Sequence, residues 1–368
     1  MGTKASKELI KEVKDGGLCI TCGGCAGGCP YWVAYKGRIV QMDNCLLSDG
    51  QCYQYCPRTF TDLEAISQKV FGEPFSEAEF GRVREIFLAR STDPDIRKKG
   101  QDGGCVTTLL SLALAEGIID AALETRMNAD RVPYGFLART KQDLLECAGV
   151  SYEPSPILAT LNSVPQESGE KLAVVGLPCH VASVGKMKTL PPKHRMNIDN
   201  VKLVIGLFCG WELSNDFHKF LKERFDLSKV TKFDIPHHPA HSFDVYMDSQ
   251  KISIDLDEIG QYINEACSYC WDMTSEFADI SVGSGRAKFR GWNTVVIRSK
   301  AGAELMEIAR KKGALETQPI PQESVDNLKR ASLNKKRRAV SNLIAKSGDK
   351  NNLLYLGLPE RLAEKLKV

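Results

Sequence analysis

The sequence predicts an α/β domain preceded by a small cysteine-rich module. Seven cysteines fall between residues 19 and 58, and from about Arg82 onward short β-rich runs alternate with amphipathic helical segments. The chain has 368 residues, of which 43% are hydrophobic, so it is long enough to bury one sizeable core beside a small module.

Three regions follow from this pattern. We expect the cysteine-rich module over residues 1–70, with a linker that reaches about residue 81 and contains the Gly72-Glu73-Pro74 break. The α/β domain should cover residues 82–330, and a basic C-terminal helical tail residues 331–368. Within the domain we predict strands at 83–90, 171–176, 202–208, 278–283 and 293–299, and helices at 105–116 and 301–312.

The first motif of the module is CxxCxxCxxxCP, formed by Cys19, Cys22, Cys25 and Cys29-Pro30. This run is typical of bacterial ferredoxins, in which three thiolates hold one four-iron cluster and the fourth crosses to a second cluster. Glycines at 23, 24, 27 and 28 should let the backbone approach the cluster sulfides. A zinc knuckle would need two separated pairs of ligands, so the motif favours iron.

A second half-motif consists of Cys45, Cys52 and Cys56-Pro57. By the crossing rule, the first cluster should use Cys19, Cys22, Cys25 and Cys56, and the second should use Cys29, Cys45 and Cys52. The stretch Ser48-Asp49-Gly50 occupies the place where a further cysteine is normally found. Asp49 could supply a carboxylate ligand, the cluster could be a three-iron (3Fe-4S) one, or Asp49 could simply form a turn before Gly50.

The glycine-rich segment Gly100-Gln101-Asp102-Gly103-Gly104 directly precedes the predicted helix at 105–116. Helix N-termini carry unpaired amide donors, so such a loop suits a phosphate group. Taken alone, the segment is more often a tight turn with Asp102 as the helix N-cap. Neither a Walker loop nor a GxGxxG fingerprint occurs in the chain.

Four further cysteines form a candidate core set. Cys179 and Cys209 each follow a predicted buried strand, and ligands of open α/β folds gather at this edge of the sheet. Cys267 and Cys270 belong to a CSYC motif and complete a set of four. Spacing alone suits zinc and iron–sulfur equally well. The ferredoxin-type module favours an iron–sulfur cluster.

Five ordered segments resemble the β subunits of coenzyme F420 hydrogenases and dehydrogenases. They are ARSTD (89–93), QDGGCVTTLLSLALAEGIID (101–120), GLPCHVASVGKMK (176–188), IGLFCGWEL (205–213) and CSYCWDMTSEFADISVGSGRAKFRGWNTVVIRSKAG (267–302). The resemblance implies an α/β (α+β) flavin-binding domain with a small N-terminal bacterial-ferredoxin-like iron–sulfur domain. It also implies FAD near the QDGG loop and the LPC turn, with a four-iron (4Fe-4S) cluster on Cys179, Cys209, Cys267 and Cys270.

The resemblance further implies a set of FAD contacts. These are Ser91, Thr92, Gln101, Asp102, Gly103, Gly104, Thr107, Tyr152, Pro178, His180, Arg286, Lys288, Trp292 and Asn293. Arg286, Lys288 and Arg290 could neutralise phosphate or polyglutamate. Two departures from the family pattern affect this region. Cys105 follows QDGG where many relatives have a small apolar residue, and Ser151-Tyr152 stands where several have Lys-Tyr. We interpret Cys105 and Cys147 as buried free thiols.

The function that the resemblance implies is electron transfer between carriers. Hydride would pass between coenzyme F420 and FAD, and single electrons would pass through the clusters to or from a partner. The partner would be a subunit of a hydrogenase, formate dehydrogenase, heterodisulfide reductase or similar complex. Alternatives are an F420-independent flavin subunit that uses NAD(P)H, ferredoxin or a partner complex, a non-catalytic iron–sulfur relay, and a zinc-stabilised binding module.

Composition excludes several other classes. A formal net charge of +3 is too small to indicate nucleic-acid binding. The longest apolar stretch, Val106 to Leu123, contains Glu116 and Asp120, so we expect no transmembrane segment. With no signal peptide apparent, we expect a cytoplasmic protein, either free or at the periphery of a membrane complex. The histidines of PHHPAH (236–241) should form an exposed loop, and the basic run at 334–340 a solvated helix face or interface edge.

Overall fold

The computed structural model describes residues 4–236, 239–248 and 250–366. His237 and His238 of the predicted exposed loop lie outside these ranges, whereas His241 is described and is exposed. Within the described ranges, no helix combines the length and the hydropathy that a bilayer span needs.

Short elements connected by loops make up the first 71 residues. They are α1 (Ser6–Leu9), which continues into a π-helical turn (Ile10–Lys14), β1 (Trp32–Tyr35), β2 (Arg38–Gln41), α2 (Gln51–Tyr55), β3 (Thr61–Asp62) and α3 (Leu63–Phe71). β1 and β2 form an antiparallel hairpin. The buried Trp32 indole donates a hydrogen bond to Ser6 Oγ at 3.1 Å, which fastens the hairpin to the first helix.

The central part of the chain alternates strands and helices. Its first half contains β4 (Glu85–Ser91), α4 (Pro94–Lys99), α5 (Cys105–Ala115), β5 (Ala121–Met127), β6 (Pro133–Ala138), α6 (Lys141–Cys147), α7 (Ile157–Ser163), β7 (Leu172–Gly176), α8 (Pro178–Thr189) and β8 (Val201–Leu207). Its second half contains α9 (Asn215–Arg224), β9 (Val230–Asp234), β10 (Ser242–Met247), β11 (Gln250–Asp255), α10 (Leu256–Ile259), β12 (Ile280–Ser284), β13 (Asn293–Ile297), α11 (Lys300–Lys311) and β14 (Leu315–Gln318).

Eight of these strands form one mixed sheet in the order β14-β4-β13-β12-β8-β7-β5-β6. The four strands β12, β8, β7 and β5 run parallel, and the outer strands pair antiparallel. The mixed α/β fold that the alternating pattern predicts is therefore confirmed. Because β7 and β8 are parallel neighbours, the chain leaves both strands at the same edge of the sheet.

Both faces of the sheet are covered. Along β7, Leu172 and Val174 belong to a buried cluster shared with α7 and α8, while Ala173 and Val175 belong to one shared with α5 and α11. Alternate residues of a strand point to opposite faces, so helices lie on both sides. The first of these clusters also contains Leu9, Tyr55 and Ile66, which means that the N-terminal elements share a continuous core with the sheet.

The helix after the glycine-rich segment begins at Cys105, and its N-cap is Gly104. The φ angle of Gly104 is 73°, a left-handed conformation that glycine adopts without side-chain strain. The alternative in which Asp102 caps this helix is therefore wrong.

A second, three-stranded antiparallel sheet lies beside the main one in the order β11-β10-β9. It packs with α9 around an aromatic cluster that includes Phe217 and Phe243, whose rings meet edge to face at 5.1 Å. The sequence analysis did not predict this sheet.

The C-terminal part consists of α12 (Gln322–Ser347), β15 (Leu356–Gly357) and α13 (Glu360–Leu366). β15 pairs in parallel with β3, which returns the chain to the N-terminal region. Lys335 and Lys336 are only 6% and 2% exposed, and Lys336 Nζ pairs with Glu276 at 2.8 Å. The interpretation of this basic run as a solvated face is therefore wrong at these two positions.

Candidate functional site

The core cysteine set gathers at the edge of the sheet where β7 and β8 end. Cys179 lies in the first turn of α8, directly after β7, and Cys209 follows β8 by two residues. Cys267 lies in the 3-10 turn Glu265–Tyr269, where its Sγ accepts a hydrogen bond from the Glu212 amide at 3.4 Å. Burial, Glu212 and the neighbouring thiols Cys270 and Cys209 raise the pKa of Cys179 well above its ordinary value. These thiols lie close enough to act on each other electrostatically.

The first N-terminal set consists of Cys19, Cys22, Cys25 and Cys56. All four line one small apolar cavity of about 20 Å³, together with side chains such as Val13 and Trp32. Burial and the thiols of Cys22, Cys56 and Cys19 raise the pKa of Cys25 well above its ordinary value. The structure thus brings together the four cysteines that the crossing rule assigns to one cluster, while their role as ligands stays a prediction.

The second N-terminal set, Cys29, Cys45 and Cys52, lies nearer the surface. Burial and the neighbouring Cys29 and Cys45 thiols raise the pKa of Cys52 to about 12. Asp49 is exposed, and its Oδ1 accepts a hydrogen bond from the Gln54 side chain at 2.6 Å. The loop that carries Cys45 also exposes three large apolar side chains, which are Met42, Leu46 and Leu47.

The spacing of the sulfurs distinguishes between kinds of metal centre. All 13 cysteines are described and none forms a disulfide. No three of their Sγ atoms lie within 4.8 Å of one another. A single tetrahedral zinc would hold its sulfurs about 3.8 Å apart, given its short Zn–S bonds. A four-iron cluster binds each thiolate at a different iron and spreads them further apart. The sulfurs of the described cysteines are thus spaced more widely than one tetrahedral zinc ion would hold them.

Glycines dock the first cysteine loop onto α7. Gly23 and Gly27 have φ angles of +87° and +88°. A Cβ atom would lie 2.5 Å from the Pro156 carbonyl oxygen at position 23, and 1.9 Å from the Ala159 carbonyl oxygen at position 27. The Asn162 amide also donates to two carbonyl oxygens of the loop. These two glycines thus permit close approach to a helix, whereas the sequence analysis expected an approach to sulfides.

A large cavity of about 730 Å³ opens beside the core set, between the main sheet and the β9–β11 sheet. Its walls come from β5, the ends of β7 and β8, the loop after α6 and strand β9. The lining segments are 98–99, 124–127, 131, 145–151, 153, 155, 175–177, 180, 207–208, 212 and 231–233. Glu212 belongs both to this lining and to the surroundings of Cys267, so the cavity and the core set adjoin.

The cavity carries a strongly basic lining. Its five cationic side chains are Lys98, Lys99, Arg126, Arg131 and Lys232. Two of its acids, Glu124 and Glu212, are buried, and burial raises the pKa of each to about 8. Both are therefore largely uncharged at neutral pH. The lining also contains Glu146, which pairs with Arg126, and Glu153, which pairs with His218. Since the five cations outnumber these two acids, the lining is net positive, which suits an anionic ligand such as one that carries phosphates.

Buried polar atoms without partners also line the cavity. Within the described residues, Glu124 Oε1 and Ser155 Oγ are buried and make no hydrogen bond. Buried polar atoms are normally paired, so these two indicate a place for a polar ligand.

His180 also lines the cavity, but both of its ring nitrogens have partners. Its Nδ1 accepts a hydrogen bond from the Leu177 amide at 3.1 Å, and its Nε2 lies 3.0 Å from the Ser155 carbonyl oxygen. Burial lowers the pKa of His180 to about 4, so it is a neutral structural link between two walls.

Of the predicted FAD contacts, His180 lines the cavity and several others form a packed loop next to it. The Ser91 amide donates to the Gly103 carbonyl oxygen at 2.7 Å, and a Cβ at Gly103 would lie 2.8 Å from Asn293 Oδ1. Gln101 donates to the Asp234 carboxylate of β9. The loop is thus tied to β4, β13 and the small sheet. Asp102 and Gly104 also belong to this loop, whereas Thr107 is buried within α5 and the Thr92 hydroxyl donates to the Gly313 and Ala314 carbonyl oxygens.

The other predicted contacts point elsewhere. The Tyr152 hydroxyl accepts from the Ile235 amide at 2.9 Å, and its ring packs in the core of the small sheet. Pro178 is buried at the start of α8. Arg286 and Lys288 are exposed, and Trp292 lies under the Arg90 guanidinium. Cys105 is fully buried, as expected of a free thiol, whereas Cys147 is half-buried and lines the cavity.

The sequence analysis missed the basic residues of the cavity and Glu124. Charged residues inside the strand-forming stretch ETRM (124–127) were the available signal, because a charge within a buried strand usually has a specific partner. Strand β5 itself was not predicted, so the signal had no structural context.

Comparisons with known proteins place the chain among oxidoreductase subunits. Residues 86–162 match the N-terminal model, and residues 169–323 the C-terminal model, of the coenzyme F420 hydrogenase/dehydrogenase beta subunit. The two models together match more than half of the chain. The protein belongs to this family, which the sequence resemblance also indicated.

Relatives extend over different parts of the chain. A coenzyme F420 hydrogenase subunit beta of Methanothermobacter thermautotrophicus is 34% identical over 273 residues, which is 72% of this chain and 96% of that protein. A coenzyme F420-dependent sulfite reductase of Methanocaldococcus jannaschii is 30% identical over 90% of this chain, which spans about half (52%) of that protein. A chain of the F420-reducing NiFe hydrogenase complex from Methanosarcina barkeri superposes with a TM-score of 0.66 at 30% identity, covering 73% of this chain and 93% of that one.

Proposed function

We propose that the protein is an electron-transfer subunit of an F420-linked oxidoreductase. FAD would bind in the basic cavity, four-iron clusters on the core set and the first N-terminal set, and a further iron–sulfur cluster on the second N-terminal set. The observation that carries this proposal is the position of Glu212. This residue lines the cavity, and its backbone amide donates a hydrogen bond to Cys267 Sγ. A ring in the cavity would therefore lie beside the core thiolates.

Different residues would bind the phosphates of FAD, its ring and the iron. When bound, FAD can exchange a hydride with coenzyme F420 and single electrons with iron–sulfur clusters. Lys98, Lys99, Arg126, Arg131 and Lys232 would bind phosphates. The buried end of the cavity would exclude water, and Glu124 and Ser155 would offer their unpaired oxygens to a polar ring edge. The eleven cysteines of the three sets would supply thiolates to iron.

We infer that single electrons pass from one set to the next. Cys22 of the first N-terminal set is among the thiols that raise the pKa of Cys179 in the core set. Cys52 of the second set acts in the same way on Cys25 of the first. These neighbours support the proposed order of cavity, core set, first set and second set. The second set lies under the exposed apolar loop, so we place contact with a redox partner there.

The partner would be another subunit of a redox complex. Relatives include an F420-dependent formate dehydrogenase subunit beta and F420 hydrogenase subunits beta. By analogy we propose a partner chain of a hydrogenase, a formate dehydrogenase, a heterodisulfide reductase or a similar enzyme. Coenzyme F420 would be the soluble substrate.

Anaerobic purification followed by cofactor analysis tests the proposal. We expect about one FAD and about eleven to twelve iron atoms per chain, with bleaching of the flavin absorbance on addition of reduced F420. Cys179→Ser should lose about four iron atoms, and Cys105→Ser, at a buried thiol outside the three sets, should lose none. Iron without flavin would indicate a relay, and zinc without iron a binding module. Bound flavin that reduced F420 does not bleach would require another hydride carrier.

A further inference from the structure

We propose that the buried guanidinium of Arg58 lies between the core set and the first N-terminal set and stabilises the reduced, more negative state of the clusters bound there. This inference rests on the proposed function. It assigns to one side chain an electrostatic influence on two neighbouring redox centres.

Hydrogen bonds fix the position of Arg58. It follows Cys56 by two residues and is 4% exposed. Its Nη1 donates to the Tyr269 carbonyl oxygen at 3.1 Å, and its Nη2 donates to the Ala266 carbonyl oxygen at 3.2 Å. Ala266 directly precedes the CSYC motif and Tyr269 is its third residue, and this motif carries two thiols of the core set. Arg58 therefore joins the segment of the first set to the segment of the core set.

Tyr355 completes the cage around this guanidinium. Arg58 Nη1 also donates to the Tyr355 hydroxyl, and the guanidinium lies 4.6 Å from the centre of the tyrosine ring. The hydroxyl in turn donates to the Tyr269 carbonyl oxygen at 2.7 Å. These contacts hold the buried guanidinium away from solvent, between the segments of the two sets.

The charge of Arg58 has no carboxylate partner. Within the described ranges it forms no salt bridge, although a buried cation normally requires a counter-charge. In the described part of the chain the guanidinium hydrogen-bonds to neutral groups, namely the carbonyl oxygens of Ala266 and Tyr269 and the Tyr355 hydroxyl.

Thiolate-bound clusters would supply the missing counter-charge. Four thiolates around four irons carry net negative charge, and each added electron makes the centre more negative. Arginine remains protonated in proteins, so the stabilisation is present at every working pH. Two buried lysines serve single sets in a similar way: Lys186 donates to the Cys56 carbonyl oxygen at 2.8 Å, and Lys335 to that of Cys209 at 2.7 Å. Arg58 acts on both sets.

The test compares variants that remove the charge with variants that keep it. Redox titrations monitored by electron paramagnetic resonance would be made on the full, cluster-loaded chain, with signals assigned by a Cys45→Ser variant that perturbs the second set. For Arg58→Gln we expect the reduced-to-oxidised ratio of the core and first clusters to fall at least about tenfold at a fixed potential, which is about 59 mV for one electron. The second cluster should keep its potential and serves as the internal control.

Arg58→Lys keeps a cation, and Tyr355→Phe keeps the arginine while removing one hydrogen bond, so both should change the ratio less than threefold. If Arg58→Gln fails to load iron, these two variants still decide the matter, since their potentials must stay near that of the parent protein. The proposal is overturned if Arg58→Gln retains iron with unchanged potentials, or if the charge-retaining variants shift as far as a tenfold change. Absence of clusters from the parent protein would instead refute the proposed function.

Discussion

Substitution of Gly27 by alanine should dislodge the first cysteine loop from α7, whereas the same substitution at the adjacent Gly28 should not. At Gly27 the new Cβ would lie 1.9 Å from the Ala159 carbonyl oxygen, and the φ angle is +88°. Backbone atoms of a packed helix cannot move aside cheaply. At Gly28 the nearest atoms belong to the end of the Met196 side chain, which is flexible and can shift.

The magnitude follows from three contributions at Gly27. A left-handed conformation costs an alanine roughly 1–2 kcal/mol. Relief of the overlap requires the loop to move away from α7, which would break the two hydrogen bonds of Asn162 at about 1 kcal/mol each. We therefore expect Gly27→Ala to lower the free energy of unfolding by about 3–4 kcal/mol and to reduce iron occupancy, because Cys25 and Cys29 lie on either side.

The assay combines thermal melting, followed by circular dichroism, with an iron count per chain after anaerobic purification. Gly28→Ala is the matched control and should retain the iron content of the parent protein, with less than about 1 kcal/mol of destabilisation. Equal stability and equal iron in the two variants would refute the argument that backbone contact with α7 positions the cysteine loop.

Three further predictions concern the cavity and the second set. Replacing Lys98 and Lys99 by glutamine should weaken FAD binding at least about tenfold, because charge-assisted contacts to the phosphates would be lost. The control Lys300→Gln, at an exposed site, should leave FAD binding unchanged. Fluorescence titration of the flavin-free protein measures the affinity of both variants. Burial raises the pKa of Glu124 to about 8 from 4.5, so the folded protein holds a proton that the unfolded chain releases, and stability should fall as pH rises through this interval. Glu124→Gln should flatten that part of the melting profile of the ligand-free protein, and an unaltered slope would contradict the burial argument. Asp49→Ala should keep the iron content, because the carboxylate is exposed and engaged with Gln54; loss of iron would identify Asp49 as a ligand.

Spacing and strand position predicted which cysteines come together. The crossing rule grouped Cys56 with Cys19 and its neighbours, and these line one cavity. The ends of two parallel strands brought Cys179 and Cys209 to one edge of the sheet. Both inferences use rules that relate sequence distance to geometry, namely ligand spacing in clusters and the direction of parallel strands.

The basic cavity could not be predicted in the same way. Its cations come from α4, β5, the loop before β6 and β9, and no local pattern connects these elements. The small sheet that closes one side was not predicted, although the stretch KISID (251–255) alternates polar and apolar residues as a strand does. Glu124 and Arg126 share a strand and a cavity, yet only the fold shows that this end of β5 faces the cavity and not a second helix layer.

Buried cations explain why the C-terminal basic run was also misinterpreted. A cluster of lysines on a helix is usually solvated, but Lys335 donates to the Cys209 carbonyl oxygen. Lys186 likewise donates to the Cys56 carbonyl oxygen, and the buried Arg58 donates to the segment of Cys267 and Cys270. Each is expensive to bury alone. A negatively charged cluster would repay part of that free energy only when it is bound, so loading of iron should stabilise the fold beyond the metal–thiolate bonds themselves. Cluster assembly and folding of the region around Arg58 are therefore expected to be coupled, since the side chains that destabilise the empty protein are those that the bound clusters would neutralise.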